Sequence, residues 1–242
     1  MSVVEFRDVS YEIGGRTILN CVSFAVEAGE TLVLLGRSGS GKTTALKMTN
    51  GMLRPTRGQV FIDGRASSDW DPIRLKRHIG YVIQEVGLFP HFTVADNVGL
   101  VPKLENWEQP RIVERVDELL DAVGLPPAQF RLRYPRQLSG GQRQRVGVAR
   151  ALAADPALLL FDEPFGAVDP VTRTELQQQF LALRRDFQKT SIFVTHDVRE
   201  ALRLGSRIAL LANGRVELIA EPHVFRQAQT DEARAFLKVL ED

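Results

Sequence analysis

One stretch of eight residues has the types and spacing needed to hold phosphate. Gly36-Arg37-Ser38-Gly39-Ser40-Gly41-Lys42-Thr43 matches G-x-x-x-x-G-K-[ST] at every fixed position. Glycines let the backbone turn tightly enough for successive N–H groups to face one anion. The positive end of a following helix adds to the attraction. Lys42 can reach the outer phosphates of a nucleoside triphosphate, and the Thr43 hydroxyl can ligate Mg²⁺. An apolar run, Thr31 to Leu35, precedes the loop and a helical pattern follows it, which is the context the motif requires. A glycine-rich turn with a chance lysine would lack both.

Two further clusters fit the same chemistry. Leu158-Leu159-Leu160-Phe161-Asp162-Glu163 is an apolar strand ending in adjacent carboxylates. Downstream of a phosphate loop, the first of these, Asp162, is the acid expected to hold Mg²⁺. Glu163 alternates to the other side of the strand end and can polarise an attacking water as a general base. Without the loop upstream, the pair would read as solvated surface. Leu138-Ser139-Gly140-Gly141-Gln142 precedes a helical pattern, with Ser139 suited to the N-cap and two glycines leaving N–H groups open to an anion. A chain that already has one phosphate cradle needs a reason for a second.

The elements that must position these residues follow from periodicity. Val3 to Ile13 and Ile18 to Val26 are strand-like and separated by Gly14-Gly15. A helix is expected from Gly41 to about Leu53, stopped by Pro55 to Gly58, with strands at Val60 to Ile62 and Ile79 to Ile83. From about Leu88 to Asp155 the pattern is helical. Arg111 to Val123 carries Ile112, Val116, Leu119, Leu120 and Val123 near one face, and Gln142 to Ala154 is a second helix. Strand and helix alternate again afterwards: Ala157 to Phe161, Val171 to Phe187, Ser191 to Thr195 and Asp197 to Leu204. Arg207 to Leu211 and Arg215 to Ile219 flank the hairpin signal Asn213-Gly214, and Pro222 onward reads helical. Such alternation predicts a mostly parallel sheet with helices on its faces and a helical block inserted into it.

Composition sets the outer bounds. The chain has 242 residues, 44% hydrophobic and 25% charged, enough for one large α/β domain with a sizeable core. A formal net charge of +1 marks neither a nucleic-acid nor a membrane-surface binder. The single cysteine, Cys21, rules out an intrachain disulfide and fits a reducing compartment. The N-terminus lacks the pattern of a secretory signal. No run reaches the ~18 apolar residues of a membrane span, so work at a membrane would go through a partner.

These residues, in this order, make the chain resemble the ABC ATPase family over nearly its whole length. Leu138 to Gln142 is similar to that family's LSGGQ signature. The resemblance implies ATP and Mg²⁺ as cofactors and hydrolysis of ATP to ADP and phosphate. It implies a head-to-tail dimer with a second copy, in which Ser139, Gly140, Gly141 and Gln142 close over the nucleotide held by Gly36 to Thr43 and Thr44 of the other copy. Gln84 looks like the Q-loop glutamine that touches Mg²⁺ and the attacking water. His196 matches the switch histidine at the γ-phosphate, and Asp169 the D-loop aspartate at the dimer interface. Tyr11 resembles the aromatic that stacks on adenine. Catalytic roles thus fall to Glu163, His196 and Gln84, and metal contacts to Thr43, Gln84 and Asp162. The implied fold is α/β: a P-loop NTPase ABC ATPase fold, with a RecA-like mixed sheet core, an N-terminal antiparallel β subdomain and an inserted α-helical subdomain. As one domain over 1–242, its core would be about 1–87 and 156–221, its signature subdomain about 88–155, and its C-terminal helices about 222–242.

Three runs are similar to importer ATPases for osmoprotectants such as glycine betaine and choline: Thr44 to Asn50, Ile79 to His91, and Phe165 to Pro170. The resemblance implies integral-membrane permease partners, indirect service to an extracytoplasmic solute-binding protein, and a peripheral place on the cytoplasmic face of the inner membrane. Many members of that group continue into CBS-type modules that sense ionic strength; the sequence stops at Asp242, so osmotic gating by that route is not expected. Gly166-Ala167-Val168-Asp169 stands where Ser-Ala-Leu-Asp is commoner, a conservative change. The alternatives are an importer for another small solute, an exporter, or a nucleic-acid-associated ATPase. The last would call for a coiled-coil insertion and a basic stripe, and the sequence has neither, so no nucleic-acid partner is expected.

Overall fold

The computed structural model describes residues 2–84, 86–166 and 168–240. Glu85 in the run after Gln84, Ala167 in the run before Asp169, and the ends Met1, Glu241 and Asp242 lie outside the described residues. In chain order the elements are β1 (Ser2–Ile13), β2 (Arg16–Glu27), β3 (Thr31–Leu35), α1 (Lys42–Thr49), β4 (Arg57–Ile62), β5 (Arg65–Ala66), α2 (Pro72–His78) and β6 (Ile79–Val82). There follow α3 (Val94–Val98), α4 (Leu100–Leu104), α5 (Gln109–Ala122), α6 (Pro127–Phe130), α7 (Gly140–Leu152), β7 (Leu158–Asp162) and α8 (Pro170–Phe187). The chain closes with β8 (Thr190–Thr195), α9 (Val198–Leu204), β9 (Arg207–Ala212), β10 (Arg215–Ala220), α10 (Pro222–Phe225) and α11 (Asp231–Lys238). They sort into two compact units, one of residues 1–76 and 190–242, the other of residues 77–189.

In the first unit, β2, β1, β4 and β5 form an antiparallel sheet in that order. Gly14 and Gly15, both at positive φ, make the β1–β2 turn, the left-handed pair that a tight hairpin favours. The phosphate loop leaves β3, a five-residue strand with every side chain buried. β3 runs parallel to β8 on one side and β9 on the other, and strands enclosed this way read as continuous apolar runs. Asn213 and Gly214, also at positive φ, close the β9–β10 hairpin. α1 stops at Thr49 rather than near Leu53 because Asn50 caps it and Gly51 turns left-handed at φ 69°. The C-terminal stretch divides into α10 and α11 rather than running as one helix. α11 restarts at Thr230, whose side chain accepts from Ala233 N–H. Phe225 and Ala233 are fully buried and seat the two helices.

The second unit joins the parallel pair β6 and β7 to the helices α3 to α8. The apolar face expected on α5 buries Ile112, Val116, Leu119 and Leu120. α7 begins at Gly140, two positions before the expected start, because Ser139 and Gln142 form a capping box. β6 presses against α7: a Cβ on Gly80 would lie 2.3 Å from the Ala151 carbonyl oxygen. Only glycine permits that approach. Buried Asn97 shapes the segment ahead of α3, accepting from Phe89 N–H and donating to the Phe89, Phe92 and Thr93 carbonyls.

Candidate nucleotide-binding site

In the first unit, the loop Gly36–Gly41 joins β3 to α1. Gly39 and Gly41 hold φ values of 80° and 101°, so the backbone winds into the concave form that gathers N–H groups. Gly36 is held by contact as well: a Cβ there would meet the Leu211 carbonyl at 2.4 Å and Ser40 Oγ at 2.5 Å. A Cβ on Gly41 would meet Leu19 at 2.5 Å. Lys42, only 4% exposed, donates from Nζ to the Gly36 carbonyl at 2.7 Å and the Arg37 carbonyl at 2.9 Å. The ammonium is thereby held at the mouth of the loop. Ser40 Oγ is buried without a hydrogen-bond partner, a costly arrangement that an incoming anion's hydration or oxygen atoms can relieve. Ser38 is exposed, while Thr43 and Thr44 are half-buried on the first turn of α1. The guanidinium of Arg37 pairs with Glu232 of α11 at 2.7 Å.

Parallel pairing brings His196 to the same sheet end. Leu35 is in register with Thr195, so Gly36 and His196 leave adjacent strands at one level. Around His196, Thr195 donates to buried Glu200 at 2.6 Å and accepts from Asp197 N–H at 3.0 Å. Asp197 caps α9 by accepting from Arg199 N–H. This buried network fixes the corner that carries the histidine. Tyr11, half-buried on β1, pairs with Leu19, and Leu19 in turn abuts Gly41. That places Tyr11 one strand away from the loop, paired with the β2 residue that touches it.

In the second unit, β7 ends at Asp162, 8% exposed. Val82 is in register with Phe161, so the residues after β6 run alongside Asp162 and Glu163. Gln84 lies two residues beyond β6 instead of ending a strand. A Cβ built on Gly166 would be 3.8 Å from Gln84 Nε2 and 4.0 Å from Glu163 Cβ, so Gln84 and the Glu163–Gly166 turn are neighbours. Glu163 has φ 45°, the left-handed region that L-residues occupy at a cost and that clusters at functional sites. Tyr81 on β6 donates its hydroxyl to Asp162 Oδ2 at 3.2 Å. Burial, then the charge of Asp162, pushes the Tyr81 phenol well above its ordinary value.

The signature caps α7. Ser139 Oγ accepts from Gln142 N–H at 3.2 Å and Gln142 Oε1 accepts from Ser139 N–H at 2.9 Å. A Cβ on Gly141 would meet Thr172 Cγ2 at 2.5 Å, whereas one on Gly140 would find only a guanidinium nitrogen of Arg143 at 3.9 Å. Asp169 caps α8, accepting from Val171 and Thr172 N–H. Hydrogen bonds from Thr172, foremost, hold its carboxyl below the usual range. At the other end of α7, Arg150 donates to the Val86 and Gly87 carbonyls at 2.6 and 2.8 Å. No motif in the sequence marks Tyr81 or Arg150. The only signal for Tyr81 was its place two residues before the end of an apolar strand.

Residues 19–166 match the ABC transporter family. The chain belongs to that family. Within it, the chain is 48% identical over 90% of its length to the choline transport ATP-binding protein OpuBA of Bacillus subtilis, covering 57% of that protein. It is 50% identical over 83% of its length to the osmoprotectant import ATP-binding protein OsmV of Salmonella typhimurium, covering 53% of it. The chain thus spans about half the length of the curated relatives it matches. Among solved structures, the dimeric ATP-binding cassette MJ0796 in a post-hydrolysis state with ADP and Pi superimposes with a TM-score of 0.79 at 34% identity, covering 90% of this chain and 98% of that one. The fold is accordingly the ABC ATPase fold, with an antiparallel sheet and a parallel-stranded one. No helix among the described residues is long and apolar enough to cross a membrane.

The residues fit a magnesium nucleotide. The loop offers left-handed glycines, a poised ammonium and an unsatisfied buried hydroxyl to phosphate. The Thr43 hydroxyl, Gln84 amide and Asp162 carboxylate are oxygen donors, which Mg²⁺ prefers. Among the described residues no cluster of three His, Cys, Asp or Glu could hold a metal alone, and Mg²⁺ usually takes one or two carboxylates together with substrate phosphates.

Proposed function

We propose that this chain is the ATP-hydrolysing subunit of a membrane importer for osmoprotectants such as glycine betaine or choline. The observation that carries the ATPase reading is the loop itself. Lys42 is buried with its ammonium on the Gly36 and Arg37 carbonyls, beside the unpartnered Ser40 hydroxyl. The identity to OpuBA and OsmV supports the solute class.

On this reading the N–H groups of Gly36–Thr44 and the ammonium of Lys42 bind the phosphates, and Tyr11 stacks on adenine. Thr43, Gln84 and Asp162 hold Mg²⁺, which supplies charge neutralisation at the β- and γ-phosphates. Glu163 accepts a proton from the attacking water, Gln84 orients that water, and His196 contacts the γ-phosphate. Ser139, Gly140, Gly141 and Gln142 close on the nucleotide of a second copy, with Asp169 at the shared interface. The core would comprise about 1–87 and 156–221, with 88–155 as a helical subdomain facing the permease and 222–242 as C-terminal helices. The chain would sit peripherally on the cytoplasmic face of the membrane, beneath integral permease subunits fed by an extracytoplasmic binding protein.

Glu163→Gln tests both levels. It should lower ATP turnover at least about 100-fold, the usual loss with a general base, and leave ATP bound in a stable dimer. Equal turnover by mutant and wild type would remove Glu163 as the base. In the native host at high osmolarity, the variant should abolish uptake of labelled glycine betaine. Unchanged uptake at normal protein level, with no second betaine system, would redirect the assignment to another solute or to export.

A further inference from the structure

We propose that Tyr81 is a positioning residue for the magnesium site, acting through its hydrogen bond to Asp162. The inference rests on the reading of Asp162 as a metal ligand.

Three observations carry it. Tyr81 Oη donates to Asp162 Oδ2 at 3.2 Å. An aspartate's second torsion is broad and roughly two-fold, so a donor on one oxygen selects the orientation in which the carboxylate meets a cation. Secondly, the strand that delivers the hydroxyl cannot shift. Gly80 is pressed to within a missing Cβ of the Ala151 carbonyl on α7, and β6 is paired with β7 through Tyr81↔Leu160 and Val82↔Phe161. Thirdly, Asp162 is nearly buried, where a carboxylate needs a hydrogen-bond donor. A phenylalanine at position 81 would keep the ring's packing and remove only this donor. Outer partners of metal ligands orient them and raise affinity roughly 10- to 100-fold. At 3.2 Å the bond lies beyond the usual O–H···O range, so the lower end applies here.

The experiment compares wild type, Tyr81→Phe and Asp162→Asn as full chains. It measures the Kd of trinitrophenyl-ADP in EDTA and across a Mg²⁺ titration, together with melting temperature. The nucleotide is a diphosphate, so no turnover enters the reading. Tyr81→Phe should match wild type in EDTA and in melting temperature, and should need roughly tenfold more Mg²⁺ for the half-maximal effect on affinity. Asp162→Asn should lose the Mg²⁺ effect. If it does, and Tyr81→Phe follows the wild-type Mg²⁺ curve, the role of Tyr81 is overturned while Asp162 stands. A Kd weakened equally with and without Mg²⁺, with a lowered melting temperature, would also overturn it and make Tyr81 a packing residue. An unaltered Mg²⁺ effect in Asp162→Asn would remove the metal-ligand reading beneath both.

Discussion

At the scale of single residues, Glu163 sets a backbone strain against its proposed role as general base. Its φ of 45° places an L-residue where glycine is at home, at a cost of about 1–2 kcal/mol. The position directly follows buried Asp162 and opens a turn closed by Gly166 N–H on the Glu163 carbonyl at 3.1 Å. A glycine would make the same turn without strain. It would also give the unfolded chain more freedom, which offsets part of the gain. Glu163→Gly is therefore expected to hold or raise the melting temperature, by about 2 °C for a chain of this size, while ATP turnover collapses as in Glu163→Gln. Calorimetry beside an ATPase assay checks this. A clear fall in melting temperature would mean that the carboxylate has a structural task which outweighs the strain. Gln84 carries a different lesson. A lone glutamine after a strand is ordinarily solvent-facing, and its spacing alone could not place it beside Glu163. The parallel register of β6 and β7 does so.

At the scale of elements, α7 is a rod with a segment of the proposed site at each end. Ser139 caps its start, and near its end Arg150 grips the carbonyls of Val86 and Gly87, just beyond Gln84. A Cβ on Gly147 would meet Val86 at 2.4 Å, so the same segment is also pressed onto the helix. Hydrogen bonds from a charged donor contribute about 1.5–3 kcal/mol each. Arg150→Ala should thus destabilise the chain by about 2 kcal/mol or more and speed amide exchange in residues 86–93, with α5 unaffected. Exchange unchanged in that segment would show that Gly147 packing alone holds it. The local signals were largely legible: the apolar face of α5, the turn glycines of the β1–β2 and β9–β10 hairpins, and Ser139 as an N-cap. What was not legible is what depends on partners distant in sequence. The Arg150 grip spans more than sixty residues, and Tyr81 meets Asp162 only through sheet pairing. α2 was also missed, since it is short and buries only Leu75.

At the scale of the whole molecule, the two signature glycines answer to different neighbours. Gly141 is required by its own chain, because a Cβ there would force Thr172 to move. Gly140 is not: a Cβ there would meet only the Arg143 guanidinium, at an ordinary contact distance of 3.9 Å, and its φ lies outside the left-handed region. In the first turn of a helix alanine is preferred to glycine. A glycine that neither backbone nor packing demands is explained if another molecule approaches closely, and the dimeric cassette MJ0796 is a structural neighbour. In a Glu163→Gln background, Gly140→Ala should keep the melting temperature and the ATP affinity of the monomer yet reduce the ATP-dependent dimer at least tenfold, read by sedimentation. Gly141→Ala should instead lower the melting temperature with or without ATP. If Gly140→Ala dimerises on ATP as readily as its parent, no close approach of a second copy calls for Gly140, and the signature's proposed role toward that copy rests on Ser139, Gly141 and Gln142.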